Sequence, residues 1–221
     1  RQMCIRDRYL NDKLFERVKT VFNSPEKDQL TTEQQMVLKH YYNSFVRGGA
    51  NLSPEKKERL KAINSELAVL SLKFGDNQLK ETNAYKLVID NKKDLSGLPE
   101  GVVAAAAADA AKEAGMEGKW VFTLHNPSIM PFLQYADNRD LREQIYKAYI
   151  NRGSNKNANN NWDNISKMVS LRAEKAHLLG FPDYASYVID NNMAKTTDNV
   201  YKLRNQIWEA ALPNAKAEAA E

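Results

Sequence analysis

The sequence predicts a mainly α-helical protein with one small two-stranded β element near residues 85–124. Three observations carry this. Apolar residues recur at steps of three and four along most of the chain, the spacing of a single helix face. Capping and breaking residues punctuate those stretches, as at Ser53-Pro54-Glu55, Gly48-Gly49 and Gly180-Phe181-Pro182. Only residues 85–90 (YKLVID) and 120–124 (WVFTL) change to the β-branched and aromatic composition of strands.

Residues 9–22 place Leu10, Leu14, Phe15, Val18, Val21 and Phe22 at helical spacing. Asn23-Ser24-Pro25 ends that segment, because a residue before proline is pushed out of the helical region. Thr31 and Thr32 precede Gln34 and Gln35 in a capping-box pattern. The helix they open has Met36, Val37, Tyr41, Phe45 and Val46 on its face, and Gly48-Gly49 closes it. Ser53 caps a long helix with proline at its first position and Glu55 in its first turn, expected to run to about Lys80. Its seam of Leu60, Ile63, Leu67, Leu70 and Phe74 suits packing on a neighbouring antiparallel helix.

Beyond the first strand, residues 94–101 are turn-rich, and residues 102–114 form a nearly all-alanine helix by propensity, closed by Gly115 and Gly118. The two strands admit either parallel pairing through a crossover or antiparallel pairing. Asn126-Pro127 and Pro131 mark a turn or a single helical turn. Asp137 or Asn138 caps a helix with Leu141, Ile145, Ala148 and Tyr149 on one face. Residues 151–164 hold seven asparagines and a Gly-Ser, read as an exposed loop of drifting composition. Ile165, Met168, Val169, Arg172, Ala176 and Leu179 resume the helical period. Thr196 or Thr197 caps the last helix, with Val200, Leu203, Ile207 and Ala211 on its face.

Charge and composition exclude several classes. Thirty-two basic and 28 acidic residues leave a net charge of +4 with no Lys/Arg block, so no nucleic-acid partner is expected. One cysteine, Cys4, excludes an internal disulfide. No run approaches the ~20 apolar residues of a membrane span, so no membrane partner is expected. The first eight residues, RQMCIRDR, lack helical or strand periodicity and are read as a leader foreign to the fold. The chain also breaks off inside a helical pattern at Glu221, so it is expected to be a piece of a longer protein.

The three histidines, His40, His125 and His177, form no His-Glu-x-x-His pair, which would set two metal ligands and a water-activating carboxylate on one helix. Glu174 and His177 share a face, but two ligands without a third read as an ion pair or helix end. His125 reads as a turn histidine with a backbone partner. No Gly-x-Ser-x-Gly elbow is present, and Gly115-x-x-Gly118 does not follow a strand as a phosphate loop does. Tyr9, Tyr41, Tyr42, Tyr135, Tyr146, Tyr149, Tyr184 and Tyr187 read as amphipathic packing, with a groove for an extended polypeptide as the functional alternative. Residue chemistry therefore assigns no catalytic, cofactor-binding or metal residue.

An ordered motif series nevertheless runs through the chain. It comprises Phe45-Val-Arg-x-Gly49-Ala50, Leu95-x-Gly-Leu-Pro99, Trp120-Val-Phe-Thr-Leu, Pro131-Phe-Leu-Gln-Tyr-Ala and Asn138-Arg139-x-Leu141-Arg142. It continues through Leu171-Arg-Ala-Glu-Lys-Ala, Leu178-Leu-Gly, Tyr184-Ala-x-Tyr187 and Asn192-Met-Ala-Lys-Thr196. This series resembles the thimet oligopeptidase family of zinc metallopeptidases, within it the bacterial peptidyl-dipeptidase and oligopeptidase A branch. The resemblance covers residues 9–221.

The resemblance implies a mainly helical, two-lobed enzyme with a channel that admits short peptides, and one zinc held by two histidines of His-Glu-x-x-His and a downstream glutamate. None of those groups lies here, so residues 9–221 correspond to the N-terminal helical region, truncated before the catalytic domain. The chain is expected to form channel wall and substrate-restricting surface, to bind no zinc itself and to be inactive alone. The implied partners are short peptides and the missing C-terminal lobe, in a monomeric enzyme of the cytoplasm or, alternatively, the periplasm. The alternative function is a stand-alone helical peptide-binding or adaptor protein without catalysis.

Overall fold

The computed structural model describes residues 9, 11–112 and 114–220. The leader with Cys4, Leu10 of the first helical face, Glu113 and the terminal Glu221 lie outside the described residues. The chain is mainly helical, as the periodicity predicts, and its one sheet among the described residues has two strands. It divides into two compact units: one drawn from the chain up to Leu67 together with the chain from Val169 onward, the other Ala68–Met168.

In the first unit, α1 (Asp12–Asn23) begins at Asn11, whose side chain accepts from the Leu14 amide. A 3-10 turn, Pro25–Gln29, follows the proline break. α2 (Thr32–Arg47) opens on the expected capping box. Thr31 Oγ1 accepts from the Gln34 amide at 3.3 Å, and Gln34 Oε1 accepts from the Thr31 amide at 3.0 Å. Phe15 and Phe45 pack with centroids 5.6 Å apart, and Tyr9, Val18, Tyr42 and Val46 close around them. Met36, Val37 and Tyr41, expected on the same face, are exposed. Gly48-Gly49 ends α2. Gly49 takes φ +95°, and a Cβ there would strike the Leu60 side chain.

α3 (Pro54–Ala84) extends four residues beyond the expected end. Residues 54–67 belong to the first unit and 68–84 to the second. Leu60 and Ile63 of its seam are buried, whereas Leu67, Leu70 and Phe74 are only half-buried. In the first unit its partner is α7 (Trp162–Leu178): Arg59 Nε and Nη2 meet the Glu174 carboxylate, each at 2.6 Å. α8 (Tyr184–Ile189) follows the Gly180-Phe181-Pro182 break, and α9 (Thr197–Glu218) opens on Thr196, which accepts from the Asn199 amide. The predicted face of α9 is not buried: Leu203 is 60% and Ile207 59% exposed.

The second unit is built on β1 (Lys86–Ile89) and β2 (Trp120–Thr123), which pair antiparallel with Leu87 opposite Phe122. α4 (Glu100–Ala110) joins them and packs on β2. Ala106 and Ala110, one turn apart, are its buried contacts, and their small side chains let the helix lie close to the strand. α5 (Asn126–Tyr135) is a full helix rather than a single turn, despite Pro131. Complete burial of Ile129 and Phe132 outweighs the lost backbone hydrogen bond. α6 (Arg139–Ile150) buries Ile145 from its predicted face.

Two motifs of the series meet here. The Ser96 carbonyl accepts from the Asp137 amide at 2.9 Å, and Ser96 Oγ donates to Asp137 Oδ2 at 2.6 Å. Asn138, the observed cap of α6, also donates to Asp94 Oδ1 at 2.9 Å. Gly97 sits between them at φ +85°, where a Cβ would run into the Tyr135 carbonyl. Arg142 completes the corner by donating to the Ala136 carbonyl. The spacing of 95–99 and 131–142 thus encodes one tied corner rather than a binding loop.

Candidate functional site

Most of the asparagine-rich segment is exposed, as expected of a loop, but its composition is not drift, because three of its residues are buried. Asn161 and Asn164 are 2% and 4% exposed. The segment folds back over α3 and surrounds Glu81, itself buried at 7% exposure. Glu81 Oε2 accepts from the Gly153 amide and from Asn155 Nδ2, each at 2.7 Å, and Oε1 accepts from Asn157 Nδ2 at 2.6 Å. Asn161 Oδ1 accepts from Asn77 Nδ2 at 3.0 Å and Asn164 Nδ2 at 2.7 Å, and its own Nδ2 donates to the Phe74 carbonyl. A carboxylate placed in the interior needs several donors. Short amide side chains supply them without adding charge. Glu81 escaped the sequence reading because it sits in a long helix among ordinary surface residues; its only signal was the asparagine run seventy residues on.

Beside this cage, Arg152 Nη1 donates to Thr82 Oγ1 at 2.9 Å and its guanidinium lies 3.7 Å from the Tyr149 ring centroid. The Tyr85 hydroxyl is buried with no hydrogen bond of good geometry among the described residues, and burial raises its pKa above the ordinary tyrosine value, with the nearby Gln144 side chain opposing. Glu81, Tyr85 and Arg152 line an open cavity of about 350 Å³. The carboxylate there is engaged by its own loop, so the cage acts as a tie rather than as a proton-transfer group.

The first unit holds a second polar site. The Gly48-Gly49 break leaves Arg47 as the last residue of α2, where the helix dipole favours a cation. Its Nη2 donates to the Tyr187 carbonyl at 2.7 Å, its Nη1 meets Asp190 Oδ2 at 3.2 Å, and its guanidinium lies 4.2 Å from the Tyr187 ring centroid. Lys175 of α7 donates to Asn64 Oδ1 at 2.8 Å, and its Nζ lies 5.6 Å from the same ring. Burial raises the Tyr187 pKa, against which the Arg47 charge works. Arg47, Asn64, Lys175 and Tyr187, with His40, Asn43 and Asn191, line a cleft of about 380 Å³.

The remaining sequence candidates separate. Glu174 is engaged by Arg59, and His177 Nε2 lies 2.9 Å from the Pro182 carbonyl, at the turn it precedes. His125 is exposed; its backbone carbonyl accepts from the Ser128 and Ile129 amides to start α5. Tyr9 and Tyr42 pack on the first core and Tyr149 on the second, while Tyr41, Tyr135 and Tyr146 are exposed. The tyrosines therefore do not form one groove within either unit. Among the described residues, no three His, Cys, Asp or Glu side chains come together as a metal-holding group.

Residues 132–221 match the profile of Peptidase family M3. The dipeptidyl carboxypeptidase of Escherichia coli (strain K12) is 35% identical over 214 residues, which is 97% of this chain and 31% of that protein. Over the stretch it spans, the chain is similar to members of peptidase family M3. Other M3 relatives agree. Oligopeptidase A of Haemophilus influenzae is 34% identical over 203 residues, covering 90% of this chain and 30% of that protein. The organellar oligopeptidase A of Arabidopsis thaliana is 35% identical over 207 residues, covering 90% and 26%. The chain spans about a third or less of the length of these relatives. The resemblance drawn from the motif series is therefore borne out, including its peptidyl-dipeptidase and oligopeptidase A branch.

Proposed function

We propose that this chain is part of a zinc-dependent M3 peptidase that hydrolyses short peptides, either by removing C-terminal dipeptides or by cutting internally. The observation that carries this reading is sustained identity of 33–35% to dipeptidyl carboxypeptidases and oligopeptidases A along nearly the whole chain. The residues present do not fit the zinc site that the resemblance implies. The sequence has no His-Glu-x-x-His, and the described donors form no metal-holding group. No hydrolytic step is therefore assigned to a side chain of this segment.

Its part is structural: wall and substrate-restricting surface beside a catalytic lobe supplied by the remainder of the parent. Two features support this. The Glu81 cage and the corner at 94–142 tie long segments rigidly without presenting reactive groups. α9 presents Leu203, Ile207 and Trp208 to solvent, an apolar helix face that suits packing by the rest of the parent. The cytoplasm is the proposed compartment, and the functional unit is a monomer.

The contiguous coding sequence tests the proposal. An open frame continuing beyond residue 221 into a His-Glu-x-x-His helix and a later glutamate is the expected result. A stop directly after residue 221 overturns it and favours a peptide-binding protein without catalysis.

A further inference from the structure

We infer that the cavity beside Glu81 binds a small zwitterion, either a free amino acid or a dipeptide. Glu81 and Arg152 line this one cavity of about 350 Å³, carry opposite charges, and form no ion pair with each other. Opposite charges that face one space attract, so their separation has to be enforced. Neutral groups enforce it on both sides. The Gly153 amide, Asn155 and Asn157 hold the carboxylate. The Tyr149 carbonyl accepts from Arg152 Nε at 2.9 Å, Thr82 Oγ1 accepts from Nη1 at 2.9 Å, and the Tyr149 ring stacks against the guanidinium. A ligand with one ammonium and one carboxylate answers both charges at once.

Each pole keeps capacity for such a ligand. Glu81 Oε2 accepts two hydrogen bonds, but Oε1 accepts only one, which leaves room for an ammonium donor. Arg152 engages Nε and Nη1, whereas its Nη2 donates to no described residue. A guanidinium fixed by a carbonyl, a hydroxyl and a ring presents its remaining edge to a carboxylate in one orientation. Ala84, Leu124 and Ala148 supply an apolar wall for the body of the ligand. The volume falls at the small end of the roughly 300–1,000 Å³ of small-molecule sites. Every residue invoked lies in the second unit. The inference does not depend on the peptidase reading.

Titration calorimetry on the 221-residue chain at low salt tests it. The probes are leucine, alanyl-leucine, and each of these with its amine acetylated or its carboxylate amidated. Saturable binding of leucine or of alanyl-leucine is expected, with both capped forms at least tenfold weaker. The tighter of the two zwitterions identifies the source. Arg152→Gln weakens binding at least tenfold, whereas Lys112→Gln, an exposed residue just past α4, leaves it unchanged. Should Arg152→Gln fail to fold, amide NMR on the unmodified chain replaces it. Shifts on titration then concentrate at Arg152, Gly153, Asn155 and Asn157. Absence of saturable binding by either zwitterion, a capped form that binds as tightly, equal affinity in a folded Arg152→Gln, or shifts located elsewhere overturns the assignment.

Discussion

The amide of Gly153 donates a 2.7 Å hydrogen bond to the carboxylate of Glu81, 72 residues earlier in the chain, and both residues are buried. Gly153 can do this because it takes φ +75°, and because it has no Cβ to meet Asn161 Nδ2 at 2.9 Å. The contact fixes the asparagine segment on α3. It also accounts for a composition that looks like drift in the sequence.

Glu81→Gln replaces one acceptor oxygen with a donor facing other donors. A loss of about 2–3 kcal/mol is expected, as for a buried charged acceptor removed from its partners. Gly153→Ala adds a Cβ in the left-handed region and is expected to cost about 1–2 kcal/mol. Urea titration followed by circular dichroism measures both. A change below about 0.5 kcal/mol for Glu81→Gln, the range of ordinary surface substitutions, would remove the cage from the account.

Tyr85 carries the opposite expectation. Its hydroxyl is buried with no hydrogen bond of good geometry among the described residues, so Tyr85→Phe removes a desolvated polar group and leaves the ring against the core of the second unit. A gain of about 1 kcal/mol is expected. Thermal melting of the variant checks it, and a clear loss of stability would mean that the hydroxyl is bonded.

Asn138 does two things at the corner: it caps α6 and donates to Asp94. Asn138→Ala is expected to lose about 1–2 kcal/mol. Asn138→Asp keeps the cap but sets a second carboxylate against Asp94, so it recovers little at neutral pH. Its stability should then rise relative to the parent as the pH falls into the carboxylate range. Equal stability of the Asp variant and the parent at neutral pH would contradict the second role.

Tyr187 sets a pH dependence. Its folded pKa is raised above the ordinary tyrosine value, first by burial, with the Arg47 charge pulling it down. The stabilisation is therefore fully present below the ordinary tyrosine pKa and is lost as pH rises through the folded value. Arg47→Gln removes the opposing charge, so ultraviolet titration should show tyrosinate appearing at higher pH in the variant. A downward movement would contradict the stacked geometry.

Much of the fold was legible because local chemistry and burial agree. The Thr31–Gln34 box, the Ser53-Pro54 start, the strands and the Gly180-Phe181-Pro182 break all appear where their residues place them. Antiparallel pairing was left open because residues 91–119 are long enough for either connection. α5 was underestimated because Pro131 argues locally for a break, and only tertiary burial of Phe132 overrides it. The α9 face was predicted by period alone, which states where apolar residues lie but not what covers them. The two polar sites were hidden for the same reason. Glu81 with Gly153, and Arg47 with Tyr187, are joined across 72 and 140 residues, and no local pattern marks such pairs.

Peptide hydrolysis by the contiguous parent protein tests the central claim most directly. Short unstructured peptides incubated with the purified parent and read by mass spectrometry should be cleaved, with folded proteins spared and a chelator abolishing turnover. The 221-residue chain alone should release no product. No cleavage by the parent, or chelator-resistant cleavage by this chain alone, would contradict the account.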